Sequence, residues 1–306
     1  TSLDIALEGL RFTTQGISGI AGQFSKGSII PEYIARGIGF DADVRAYGRF
    51  SHMNVSTQVR TTKGNADADV LIENILSGHT PLRISGSAST EGLDLRSMTG
   101  KLPIGPVTMR ADASATFGEE LQVNVDTLSI DRLNFNGYDY SGIKALGHLN
   151  KGVADGGLSV SDPNLNLFVR GTFSLSKKAN RRLTLNGTVA HADLHALNLD
   201  KRGKSELAFR MNADVRTSQD GTTNGDLSLN DIRMYNEDGT HSVNSIIITP
   251  HISRGVHKLR LRSDFADAMY SGSAPVTEFI KDLSDLTARD QLPSLFSDPS
   301  FEWSGD

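Results

Sequence analysis

The chain has 306 residues, no Cys, and 31 Lys plus Arg against 36 Asp plus Glu, a formal net charge of −5. That length buries a sizeable core as one large domain or two ordinary ones, and the missing Cys excludes disulfides, thiol catalysis and Cys-based metal sites. A mildly acidic chain without a dense Lys/Arg block argues against nucleic acid as partner, and no apolar stretch approaches the roughly 20 residues of a membrane helix.

From the N-terminus onward the dominant period is two. Leu3, Ile5 and Leu7 begin it, followed by Phe40, Ala42, Val44, Ala46 and Phe50, then Met53, Val55 and Val59. Ala66, Ala68, Val70 and Ile72 continue it, as do Leu82, Ile84 and Ala88, and Val107, Met109, Ala111, Ala113 and Ala115. In the second half come Leu165, Leu167, Val169, Phe173 and Leu175, with Gly171 in the remaining slot, then Leu183, Leu185 and Val189. Leu207, Phe209, Met211, Ala213 and Val215 form the cleanest run, and Leu259, Leu261 and Phe265 close the series. Alternation of this kind predicts strands with one dry face and one wet face.

Lys63-Gly64-Asn65, Asn136-Gly137, Asp220-Gly221, Asn224-Gly225 and Asp238-Gly239 lie between or beside these runs. Such pairs supply the positive φ of tight hairpins, so roughly fifteen strands, mostly antiparallel neighbours, are expected. The parity slips between Val125 and Leu128 and again between Leu229 and Ile232, which predicts a β-bulge at each. Met109-Arg110-Ala111-Asp112 with Leu128–Phe135 reads like Met211-Asn212-Ala213-Asp214 with Leu227–Tyr235. Ile84–Ala88 with Leu93-Asp94-Leu95 likewise resembles Leu185–Val189 with Ala192-Asp193-Leu194, at the same offset of about a hundred residues. Repetition of a multi-strand unit predicts an elongated sheet.

One segment departs from period two. Val276, Phe279, Ile280 and Leu283 fall on one face at helical spacing, with Leu286 beyond, Pro275 in the first turn and Pro293 at the far limit. An amphipathic helix lying on the apolar sheet face is expected within 273–295, and a weaker helical candidate spans Pro31 to Ala35. The expected organisation is a repeating β-groove over 1–272, the helix, and a continuation over 296–306. The first residue is Thr1 with no charged-then-apolar leader, so both ends are expected to be boundaries of a longer protein.

No catalytic motif is present: no Gly-x-Ser-x-Gly, no P-loop, no Gly-x-Gly-x-x-Gly opening a helix and no His-Glu-x-x-His. A non-enzymatic role with no cofactor is expected. His191 and His195 bracket Asp193, but they run from a strand into a loop where they need not converge on a metal. Asp220–Asp226 has the composition of a calcium loop without its spacing or closing Glu, and reads as a hairpin turn. Lys177, Lys178, Arg181 and Arg182 read as a solvated hairpin tip.

The apolar face is the informative feature. It is either the inside of a β-sandwich or the dry side of one long sheet that meets a ligand. Residues 138–199 carry Tyr138-Asp139-Tyr140-Ser141-Gly142-Ile143, then Gly157–Leu167, Leu183–Val189 and Ala192–Leu197. With Lys258–Ala268, the helix, and Leu292-Pro293-Ser294-Leu295, these segments resemble the TamB family of Bacteroidetes, the inner-membrane component of the translocation and assembly module, within the AsmA-like group.

The resemblance implies an all-β fold, a long antiparallel sheet curled into a β-taco with an apolar groove. It also implies a periplasmic location, an inner-membrane anchor outside this segment, and an outer-membrane barrel partner of the TamA type. The expected ligand is phospholipid acyl chains. The expected lining is Val107, Met109, Leu165, Leu167, Val169, Phe173, Leu183, Leu185, Val189, Leu207, Phe209, Met211, Leu259 and Leu261, with Val276, Phe279, Ile280 and Leu283 of the helix on the groove. A scaffold that assembles outer-membrane barrels by strand augmentation, and an adhesin-like extracellular β protein, are the alternatives.

Overall fold

The structure, a computed structural model, describes residues 2–13, 39–76, 80–99, 103–174, 181–200 and 203–273. The expected helix at 273–295 and the candidate at Pro31 to Ala35 lie outside the described residues, apart from Ser273.

Among the described residues seventeen strands and one short helix follow in order: β1 Leu3–Thr13, β2 Gly39–Arg49, β3 His52–Thr61, β4 Gly64–Glu73, β5 Leu82–Asp94, α1 Leu95–Thr99, β6 Ile104–Phe117 and β7 Leu121–Phe135. Then come β8 Tyr138–Tyr140, β9 Ile143–Asn150, β10 Val153–Asp162, β11 Leu165–Ser174, β12 Arg181–Asp193, β13 Glu206–Thr217, β14 Thr223–Asn236, β15 Gly239–Ser253, β16 Val256–Ser263 and β17 Asp267–Gly272. All belong to one open antiparallel sheet. Successive strands are hydrogen-bonded neighbours, with β8 and β9 both lying along β7. Where the connection is a two-residue turn, as between β2 and β3, β9 and β10 or β15 and β16, the chain has no alternative but the adjacent position.

Asn136-Gly137 makes such a turn, with φ of 51° and 77°. Lys151-Gly152 (48° and 69°) and Arg254-Gly255 (51° and 78°) make two more that the Asn-Gly and Asp-Gly signal does not flag. Asn224-Gly225, by contrast, is no turn. Both residues lie inside β14, opposite Arg216 and Val215. Gly225 is needed there because its backbone presses on β13: a Cβ would sit 2.2 Å from the Asp214 carbonyl oxygen. Phe265 also leaves the strand pattern, in the β16–β17 turn that Ser263 closes onto Ala266.

Both predicted bulges are present. The β7–β9 ladder shifts between Val125 and Leu128, and Phe209 of β13 meets two residues, Asp231 and Ile232, with Asp231 at φ 52°. The bulge that answers the one at Asp231 is a further one in β7, at Asp131, where Thr108 pairs Arg132 and Met109 pairs Ile130.

The apolar face as candidate functional site

Register shows how the alternating residues line up. Ile5, Ala46, Val55, Val70, Gly86, Ala113, Val125, Gly147, Gly156, Gly171, Leu185, Ala213, Leu227, Ile248, Leu261 and Ala268 are successive cross-strand partners from β1 to β17. No polar side chain interrupts that row. Beside it, Leu7, Val44, Thr57, Ala68, Ala88, Ala111, Leu128, Ala145, Leu158, Val169, Gly187, Met211, Leu229 and Ile246 form a second, broken only by the Thr57 hydroxyl. Met109, Ile130, Ile143, Val160, Leu167, Val189 and Phe209 form a third.

The fourteen strand residues expected from the sequence share this face. Met109, Leu167, Val189 and Phe209 stand in the third row, Val169 and Met211 in the second, Leu185 and Leu261 in the first. Phe173 pairs Leu183, Leu165 and Leu207 both pair Ala192, Leu259 pairs Pro250, and Val107 pairs Leu93 and Leu133. Sequence reading missed Ile143, Ala145, Leu149, Val243 and Ile246, whose strands β9 and β15 extend the same face. Glycines at apolar positions hid β10: Gly156 stands where an apolar residue is due, and a Cβ there would meet the Leu146 carbonyl oxygen at 2.6 Å.

Along β9 and β16 the apolar positions are half-buried while their neighbours are exposed, although every extensive contact among the described elements is between sheet neighbours or between α1 and β6. The opposite face is polar in the same register. Arg45, Ser56, Asp69, Ser87, Asp112 and Thr127 are successive partners across β2 to β7. Arg182 donates to Asp214 at 2.9 and 2.6 Å, and Arg260 to Asp267 at 3.2 and 2.7 Å. The Arg182 and Arg216 guanidinium groups hold the Asp214 carboxyl far below its usual range. His191 faces Glu206 at 3.9 Å, and among the described residues no three His, Asp or Glu side chains form a metal-holding group. Asp220 caps its own hairpin turn through Thr222, and Arg181 and Arg182 open β12.

The best-packed part of the apolar face surrounds a turn that the sequence reading passed over. After β12 the chain folds back at 194–199. Asp193 accepts from the Ala196 amide at 2.9 Å, and its own amide donates to Asn164 at 2.9 Å. Leu197 is fully buried (0 % exposed), in a cluster with Val189 and Ala192. Tyr138, Tyr140, Leu165, Leu167, Leu194, Phe209 and Met211 pack against that cluster. Asn136 and Asn198 donate to each other's carbonyl oxygens at 2.9 and 3.2 Å, tying the β7–β8 turn to the 194–199 turn.

A corresponding arrangement follows β5. The Asp94 amide donates to Lys63 at 2.7 Å, Asp94 accepts from the Ser97 amide at 3.1 Å, and Met98 is buried. Both strands bulge just before their Asp, between Thr90 and Leu93 and between Val189 and Ala192. Burial pushes the Asp162 carboxyl up, but hydrogen bonds from Tyr138, Asn164 and Ser141 outweigh it and leave the group below its ordinary range. No known protein family, curated protein or solved structure matches the chain.

Proposed function

We propose that this chain is a segment of a periplasmic lipid conduit, in which the apolar face curls into a groove that carries phospholipid acyl chains between the inner and outer membranes. The observation that carries the reading is the first cross-strand row, apolar or glycine from β1 to β17, with no second layer over it among the described elements. An uncovered face of this kind is a standing cost in water, about 25 cal/mol per Å² of apolar area, and acyl chains recover it at about 0.8 kcal/mol per CH₂.

Two observations support the curl. Along β9 and β16 the positions on the apolar face are less exposed than their neighbours, although no second layer covers them among the described elements. In addition, the 194–199 turn after β12 reaches across β10 and β11 to β8, where Tyr138 and Tyr140 pack on the cluster of Val189, Ala192 and Leu197. The matched Asp94–Met98 and Asp193–Leu197 turns support a unit of about a hundred residues that lengthens the groove by repetition. The resemblance read from the sequence favours the same role, with a barrel of the TamA type at the outer membrane.

The test is lipid content. Protein purified from bacterial cells and extracted with organic solvent should yield phospholipid by mass spectrometry. Leu167→Arg places a charge in the third row, and an open groove lets it reach water, so the variant should fold yet release little lipid. Lipid-free wild type, or a folded Leu167→Arg with unchanged lipid, overturns the proposal. The alternative scaffold role rests on the edges β1 and β17, each paired on one side only among the described strands. Lipid-free protein that crosslinks to barrel strands through β1 or β17 would favour it.

A further inference from the structure

On the polar face, β9, β10 and β11 form a slot. The walls are Leu146 on β9 and Phe168 on β11, 53 % and 54 % exposed. The floor is β10, which presents only Gly157 and Ser159 between them: Leu146 pairs Gly157, Gly157 pairs Arg170, and Ser159 pairs both Lys144 and Phe168. Two strand spacings, about 9.6 Å, separate the wall strands. The missing side chain at Gly157 is not forced by the backbone. Its φ lies outside the left-handed region, and a Cβ would meet nothing closer than the Val169 carbonyl oxygen at 3.6 Å. The cavity measures about 750 Å³, within the range of small-ligand sites.

Its charges are unbalanced. Lys144 and Arg170 both line the slot, and neither has an ion-pair or hydrogen-bond partner among the described residues, whereas Arg182, Arg210 and Arg260 on the same face are all paired. Asp126, at the β7 bulge, closes the opposite end and accepts from the Asn124 side-chain amide. Lys144, on β9 across from Phe168, and Arg170, on β11 across from Leu146, stand at diagonal corners of the slot, and an anionic group fits at either, Arg170 being the corner separated from Asp126 by β9 and β10.

We propose that this slot binds a single-chain anionic amphiphile, its hydrocarbon body between Leu146 and Phe168 over Gly157 and its carboxylate, sulfate or phosphate on Lys144 or Arg170. The site is on the face opposite the groove and does not depend on the groove's function. Equilibrium dialysis of labelled dodecanoate against the whole chain tests it, with dodecanol as the uncharged control. Wild type should show saturable dodecanoate binding. Gly157→Val fills the floor and should weaken it at least tenfold, and Lys144→Glu/Arg170→Glu should weaken dodecanoate at least tenfold while leaving dodecanol unchanged. Leu167→Arg, on the other face, should leave dodecanoate binding intact. Circular dichroism verifies folding of each variant. If Gly157→Val does not fold, the surface charge reversal decides alone. No saturable binding by wild type, undiminished dodecanoate binding by the charge-reversed chain or by a folded Gly157→Val, or loss through Leu167→Arg overturns the proposal.

Discussion

Asp162 is 7 % exposed, and its carboxylate accepts from the Tyr138 hydroxyl, the Ser141 amide at 2.8 Å, the Ser141 hydroxyl at 2.7 Å and the Asn164 amide at 2.9 Å. Four donors suit a charged acceptor and not an amide, whose nitrogen would face two of them. Asp162→Asn should therefore cost about 1–3 kcal/mol in urea denaturation, the penalty for stranding a buried donor. Its folded pKa lies below the unfolded value of about 3.9, so its stabilisation is complete above that pH and is lost as pH falls through the folded pKa. Wild type should lose thermal stability below about pH 4, and Asp162→Asn should lose less over the same window. A variant as stable as wild type at pH 7 would remove this carboxylate from the account.

At the scale of the element, the turn at 194–199 is fixed by its Asp cap and by one buried leucine. Leu197→Ala should cost about 2–5 kcal/mol and weaken the near-ultraviolet dichroism of Tyr138 and Tyr140, since both pack on that cluster. Asp193→Ala removes only a cap and should cost about 1 kcal/mol. Equal losses for the two would mean that burial at Leu197 is not what holds the turn down. The exposed Arg–Asp pairs of the polar face should each contribute about 0–1 kcal/mol, so Arg260→Ala should shift the urea midpoint little and 1 M salt should barely change that shift.

For the whole molecule, a meander whose extensive strand contacts among the described elements are all between sheet neighbours makes stability largely a nearest-neighbour property. Amide hydrogen exchange should be slowest in β11 to β13, which surround the Leu197 cluster, and faster toward the edge strands β1 and β17. Uniform protection from end to end would indicate all-or-none opening and contradict this. On β17, which is paired on one side only among the described strands, Met269 is 77 % exposed, so Met269→Lys should reduce self-association measured by light scattering at high concentration.

The sequence by itself determined most of the strands, their apolar parity and the hairpins at Lys63-Gly64, Asn136-Gly137, Asp220-Gly221 and Asp238-Gly239, because period two and positive-φ turn pairs are local properties of the chain. It determined both expected bulges for the same reason, since a bulge is a one-residue slip in that parity. Strands β9, β10 and β15 were harder to read, as Gly147, Gly156 and Pro250 occupy apolar positions without marking them. Asn224-Gly225 misled because a glycine needed for close strand contact looks like one needed for a turn. Only the tertiary structure decided that the rows join from β1 to β17 in one register, that Leu197 is the most buried side chain of its cluster, and that Gly157 forms the floor of a slot. Each depends on which residues far apart in sequence become neighbours across strands, and the order of residues along the chain does not state that.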